Sequence, residues 1–545
     1  MKYLSFINKL IANNILFRKN SYFPLLILIF SCASFLLLKN NFSAFEQNTH
    51  TFIPGLEFLN NPNILDFYSL SILNSPKITT VYLINFLFSD WYYGTYFFKV
   101  LLNINIYLAI WFLLLSTFKY HLEPENIRID DKIFLILIIS FVLLTMGLLK
   151  KFQGPGSANG PLGYGSIQYL SDFNEMNLSF VFGVYGIIAA LEKKRILNFL
   201  TIIIISSSTI IHPTMGLSNL ILLIILYSKK IDFNYIKQIL ILIIPTILIP
   251  AIFLKILSSP DPLLGGKDFF DIYVKYRHPH HFLVSDKLFK INFHSFLMWL
   301  FFFTSMLIFS YKYSKKIILL NFLILLTFIA IPISQYFLVE VLHIKLFIEL
   351  GITRFTTLIS IIFFIQVLIN LIYFLKKKVF ISEDKQLKKI NLKSQILINL
   401  LVGLIFTFII TSLTYTHPLN DKKFSKYHPI TSWVSKNISD NREFFIQDQK
   451  DIELINFLRI FGKQNIYYDD EGFPFSSKYI IEYINRKEYY EKINEKLNIE
   501  NRDINNLKID DKIGYILFKK ANKNLLNSYD NIIYEDDYFI IEILN

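Results

Sequence analysis

Residues 193–230 read KKRILNFLTIIIISSSTIIHPTMGLSNLILLIILYSKK, two apolar runs joined by a His212-Pro213-Thr214 turn and closed at both outer ends by basic groups. If each run crosses a bilayer, the turn lies on one side, and Lys193-Lys194-Arg195 and Lys229-Lys230 lie together on the other. The same asymmetry repeats along the chain, with uncommon polar motifs at one end of the apolar runs and lysine-arginine groups at the other.

Windows of about 20 apolar residues predict eleven spans. They fall near 22–38, 95–118, 132–149, 175–192, 196–211, 214–228, 237–257, 294–312, 317–341, 353–375 and 394–415. The N-terminal lysines, the 119–132 loop, Lys193-Lys194-Arg195, Lys229-Lys230, the 312–316 group and the 376–393 loop alternate onto one side, which is therefore expected to be cytoplasmic. The N-terminus is then inside and the C-terminus outside, as expected for a multi-pass protein of a bacterial inner membrane. Of ten histidines, only His121 falls on the cytoplasmic side.

Composition agrees with this reading. The 545 residues are 53% hydrophobic with 55 Phe, too apolar for a string of soluble domains. A transmembrane barrel would show short alternating segments instead. The net charge of +13 is spread in small groups between apolar runs, which argues for orienting charges and against nucleic-acid binding. Cys32 is the sole cysteine, so no intramolecular disulfide forms.

From about residue 418 the long apolar runs stop. Strands are expected at 444–447, 465–468, 513–518, 531–534 and 538–543, with helices at 451–462 and 477–497. The expected architecture is an all-α polytopic membrane domain over 1–417, with a long first outer loop at 39–94. A small α/β domain over 418–545 follows on the outer face.

Several polar segments remain on that face. The first loop carries Glu46, His50, Glu57 and Asp66, where a carboxylate could deprotonate an acceptor hydroxyl or simply be solvated. The loop at 258–293 carries Lys275-Tyr276-Arg277-His278-Pro279-His280-His281, a concentration of guanidinium and imidazole suited to phosphate or pyrophosphate. A metal reading competes, in which His280 with His212 or His50 and a carboxylate ligates a divalent cation. A third alternative makes the segment an interfacial anchor for lipid headgroups. His212 could be a helix cap and Arg354 a snorkelling side chain. The glycine-rich stretch at 153–165 matches neither the Walker loop nor the dinucleotide fingerprint.

Taken together, these residues resemble the GT-C superfamily of membrane glycosyltransferases. The stretch from Gln47 to Asp66 is similar to the place where such enzymes hold a catalytic carboxylate, and Trp433-Val434-Ser435-Lys436-Asn437 looks like the opening of their outer domain. More closely, His212-Pro213-Thr214-Met215-Gly216-Leu217, Arg277 to His281, Arg459, Phe473-Pro474, Tyr483 and Arg486 resemble an uncharacterised family of bacterial membrane proteins with a C-terminal domain of unknown function. The resemblance implies transfer of a sugar from a polyprenyl-phosphate donor to a cell-envelope acceptor. Asp66, with Glu46 as alternate, would be the catalytic carboxylate. Arg277, His280 and Arg354 would meet the lipid-linked phosphate, and His50, His212, His278 and His281 would contribute to binding. No motif demands a cofactor, with the divalent cation as the open rival, and membrane lipid is the other expected partner. Competing readings are a polysaccharide polymerase or ligase, a transporter or flippase, and a non-catalytic scaffold. Broken helices and charges buried mid-span would favour transport.

Overall fold

The computed structural model describes residues 78–88, 90–122, 175–228, 232–252, 265–277, 283–286, 293–313, 317–350, 359–378, 392–439, 442–449, 451–469, 477–497, 510–520 and 531–544. The chain divides into two compact units. The described residues within 97–254 and 265–413 form the first, and those within 41–96 and 414–545 belong to the second.

The first unit is helical. Among the described residues, every expected span coincides with a helix, while 22–38 and 132–149 lie outside them. Five stretches are both long and apolar enough to cross a membrane: Tyr92–His121, Glu175–Lys193, Phe233–Ile252, Ile318–Val341 and a run opening at Leu400. The last has its apolar helix closed at Thr414, before lysine-bearing 3-10 turns continue the chain.

Among the described residues five of the eleven expected spans reach that length, and in the opening stretch the helices are visibly shorter. Phe199–Ile211 and Pro213–Tyr227 hold 13 and 15 residues. At about 1.5 Å per residue each reaches only about 20 Å, less than the roughly 30 Å of a hydrocarbon core. They form a short helical hairpin packed on Glu175–Lys193. Gly183 makes that packing possible, because a Cβ there would come within 2.0 Å of the Asn219 side chain. Small residues at such crossings let backbones approach where lipid offers no hydrophobic drive.

Local chemistry sets the helix ends. Asn198 accepts from Leu200 N–H at 3.0 Å and Asp232 from Tyr235 N–H at 2.8 Å, each capping the helix that follows. Two apolar helices are interrupted. Proline lacks an N–H and crowds the preceding turn, and π-helical turns occur at Ile244–Leu248, which contains Pro245, and at Tyr336–Val341, which follows Pro332. Phe233, Leu240, Ile252, Phe301, Ile333 and Phe337 face outward, an apolar surface suited to lipid.

In the second unit, β1 (Glu443–Ile446), β2 (Ile513–Lys519), β3 (Ile532–Glu535) and β4 (Phe539–Ile543) form one sheet in the order β1-β2-β4-β3. β1 runs parallel to β2, and the β2–β4 and β4–β3 pairs are antiparallel. The expected strand at 465–468 reduces to a single bridge from Ile466 to Phe444. Helices Ile452–Ile460 and Ser477–Leu497 occupy their expected places. Tyr490 stacks on Phe445 of β1, and Tyr427 stacks on Phe539 of β4. These residues alternate across the pleat, so both faces of the sheet are covered.

Candidate functional site: the His212 end of the helical unit

His212 is the single residue between two helices. Its backbone is extended, its Nδ1 accepts from Met215 N–H at 3.2 Å, and its carbonyl accepts from Gly216 N–H at 2.9 Å. Pro213 at the first helical position costs nothing, since that N–H would be unsatisfied anyway. Gly216 is required by contact: a Cβ there would meet the Thr209 backbone at 2.3 Å. Beneath the turn, Ser179 Oγ donates to Ser208 O at 2.8 Å, and Asn219 Nδ2 donates to Ser179 O at 3.1 Å. These bonds between buried groups hold the hairpin against Glu175–Lys193.

The turn is not isolated. Thr214 Oγ1 donates to Leu350 O, the last residue of the Lys345–Leu350 helix. That helix follows the π turn Tyr336–Val341 through His343, whose φ of 50° is left-handed. Leu342 N–H donates to Phe337 O and Ile344 N–H to Leu338 O, both at 2.9 Å, so the reversal satisfies the carbonyls that end the helix.

The segment from Gly265 onward packs on this reversal. A Cβ on Gly266 would lie 1.9 Å from His343 O, so a glycine is needed for the backbones to approach. The Phe270 and His343 rings are 4.3 Å apart, and Lys345 Nζ sits 5.3 Å from the Phe269 ring centre. Lys275 Nζ pairs with Asp271 Oδ1 at 2.7 Å. The Lys275 hydrogen bond, then the positive charges of Lys275 and Lys267, hold the Asp271 carboxyl below its ordinary range. Glu340 binds the far side of the loop: Oε1 accepts from Val284 N–H at 2.5 Å and Ser285 N–H at 3.3 Å, and Oε2 accepts from Ser285 Oγ at 2.5 Å.

Three segments expected on one face therefore meet at one end of the helical unit: the His212 turn, the loop containing 265–286, and the chain leading to residue 351. Of the expected site residues, His212 is described and serves as a cap. Arg277 is placed by its backbone as the last residue of the π-helix Phe270–Arg277. Glu46, His50, Asp66, His278, His280, His281 and Arg354 lie outside the described residues. No group of three or more His, Cys, Asp or Glu arranged to hold a metal occurs among the described residues.

The opposite end of the unit collects the basic groups. Lys119 pairs with Glu192 at 2.9 Å, His121 Nε2 contacts Leu226 O at 2.7 Å, and Tyr227 OH donates to Lys194 O at 2.8 Å.

Sequence reasoning underrated two residues. Glu340 and Lys99 stand near the ends of the spans expected at 317–341 and 95–118; Glu340 anchors a loop, and Lys99 is only 1% exposed, two turns inside the Trp91–Leu122 helix. An ionisable residue within an apolar run is itself the signal that marks both.

In the tail, the residues that carry the closer resemblance are structural. Arg459 Nη1 pairs with Asp469 Oδ2 at 3.2 Å with both side chains buried. Arg486 bridges Glu443 at 2.8 Å and donates to Tyr467 O at 2.8 Å. The Tyr483 hydroxyl meets that of Tyr468 at 3.1 Å. Phe473 and Pro474 lie outside the described residues. No family model matches this chain, and neither does any curated protein or solved structure.

Proposed function

We propose that this protein is a membrane glycosyltransferase of GT-C type that moves a sugar from a polyprenyl-phosphate donor to a cell-envelope acceptor. In this reading the N-terminus is cytoplasmic, and both the His212 end and the tail lie outside. The observation that carries the reading is the convergence at that end. The Thr214–Leu350 bond and the Gly266–His343 approach bring the flanks of two cationic motifs, Lys275 to His281 and Arg354, onto one platform.

In the reaction, Asp66, with Glu46 as alternate, accepts the acceptor's hydroxyl proton as its oxygen attacks the anomeric carbon. The bond from that carbon to phosphate oxygen breaks, and the phosphate leaves with the electron pair. Arg277, His280 and Arg354 stabilise the charge that develops on it. His50, His278 and His281 supply further donors. His212 has Nδ1 committed to Met215 N–H, which fixes its ring at the turn.

The test is turnover of a radiolabelled polyprenyl-phosphate hexose by the purified protein. Asp66→Asn should reduce turnover by at least about 100-fold, the usual scale of general-base catalysis. Unchanged turnover would remove Asp66 from the chemistry, and no turnover of any lipid-linked donor by the wild type would sink the proposal.

A second reading, transport of a lipid-linked sugar, is favoured by the π-helical interruptions at Ile244–Leu248 and Tyr336–Val341 and by the buried Lys99. Movement of donor between leaflets of proteoliposomes without glycosyl transfer would select it.

A further inference from the structure

The chain leaving the last apolar helix carries an arrangement that the proposed reaction does not use. Tyr96 OH and Thr414 Oγ1 lie 2.9 Å apart, so the first turns of the Trp91–Leu122 helix and the end of Leu392–Thr414 come to the same level. Around that level stands an aromatic collar. Tyr92 stacks on Phe461 at 5.5 Å and meets His417 edge-on at 5.1 Å, while Tyr93 meets Tyr415 at 5.2 Å. Amphipathic rings at the ends of apolar helices mark the boundary between hydrocarbon and water.

Directly beyond the collar, the chain presents apolar and cationic side chains together. Leu413 and Leu419 are 78% and 42% exposed, unusual for leucines beside water but suited to the acyl edge of a bilayer. The 3-10 helix Lys422–Tyr427 then brings Lys422, Lys423 and Lys426 into one and a half turns. The nearby acids are engaged elsewhere. Asp421 caps Lys423 N–H at 2.9 Å, Glu453 pairs with Lys423 at 2.9 Å, and Asp451 binds Tyr427 OH and Lys519. Lys422 is exposed and has no acidic partner among the described residues. Lys426 is partly exposed and lies 4.4 Å from the Tyr427 ring centre.

We propose that Lys422 and Lys426, which follow the exposed Leu419 and the aromatic collar along the chain, form a surface that binds anionic lipid headgroups. Leu419 enters the acyl boundary, the collar fixes depth, and the two ammonium groups reach phosphate oxygens at the height of the headgroups. The inference needs no particular orientation and is independent of glycosyl transfer.

The experiment uses full-length protein in a neutral detergent, titrated with phosphatidylglycerol or phosphatidylcholine. Retained lipid is counted by native mass spectrometry, and thermal unfolding is followed in parallel. Wild type should retain phosphatidylglycerol preferentially, and Lys422→Gln/Lys426→Gln should weaken that preference by roughly tenfold, since each basic side chain near a membrane surface contributes several-fold in affinity. Lys423 is left in place because it pairs with Glu453. The control Lys487→Gln/Lys492→Gln removes the same charge from the Ser477–Leu497 helix and should leave the preference intact.

Equal loss in the control would reduce the effect to net charge and overturn the proposal, as would an unchanged preference in the Lys422/Lys426 variant. Should that variant fail to fold, wild type alone decides. Its preference should vanish at about 0.5 M salt, where screening is strong, and a preference that persists there overturns the proposal.

Discussion

Glu340 holds Ser285 by two bonds, one from the hydroxyl at 2.5 Å and one from the backbone N–H at 3.3 Å, across 55 residues of chain. One carboxylate thereby fastens the loop that follows the Arg277 motif to the π turn of the Ile318–Val341 helix.

Replacing Glu340 by Ala should release that loop and lower stability by about 2–3 kcal/mol, the scale for orphaning donors that had a charged acceptor. Glu340→Gln should cost less, since its amide oxygen still accepts from backbone N–H. The ordering Ala worse than Gln, measured by thermal unfolding in detergent, checks the clamp; equal losses would point to a merely steric role.

Gly266→Ala places a methyl 1.9 Å from His343 O, a backbone atom that cannot swing aside. Overpacking of this kind costs about 1–3 kcal/mol. Its signature should be local: proteolysis within 265–286 should accelerate while the tail keeps its resistance. Uniform acceleration across the chain would contradict a local fault.

In the tail, two buried polar groups should respond in opposite directions. Arg459→Met breaks the buried Arg459–Asp469 pair from one side and should cost about 3–5 kcal/mol. Asn456 is fully buried, and neither polar atom of its amide has a hydrogen-bond partner among the described residues. Asn456→Leu should therefore raise stability by about 1 kcal/mol or more, since it removes a desolvated amide at similar volume. A loss of stability in Asn456→Leu would show that the amide has a partner in solution.

Glu542 makes stability depend on pH. It lies in β4 with only 3% of its surface exposed and Oε2 without a hydrogen-bond partner among the described residues, and burial pushes its carboxyl up from 4.5 to about 7. The folded state then binds more protons than the unfolded state between those values, so this residue's contribution falls as pH rises from about 4.5 to 7 and stays low above that. Glu542→Gln should flatten the unfolding temperature across that window and raise it at pH 8. A wild-type profile that climbs with pH, with the variant unchanged, would refute the assignment.

Much of the fold was legible in short-range pattern. Apolar runs of helical length predicted the helices, and the short apolar, aromatic- and isoleucine-rich runs from Ile513 to Phe518 and from Tyr538 to Ile543 predicted two of the sheet's strands. His212 was legible as a cap because Pro213 follows it. The candidate site was less legible. Glu340 and Lys99 look unremarkable when distance along the chain is measured only to the end of a run, and Arg459 carries no sign of Asp469, ten residues on and past the helix end.

The sequence alone determined where apolar helices and strands lie and which loops share a side, because 3.6- and 2-residue periodicity, capping and basic clusters act over a few residues. Tertiary structure alone decided that Glu340 reaches Ser285, that Thr214 meets Leu350, and that the opening pair of helices is a short hairpin instead of two full crossings. Those outcomes depend on where glycines allow backbones to approach and where π turns redirect a helix, and packing between segments far apart in the chain sets both.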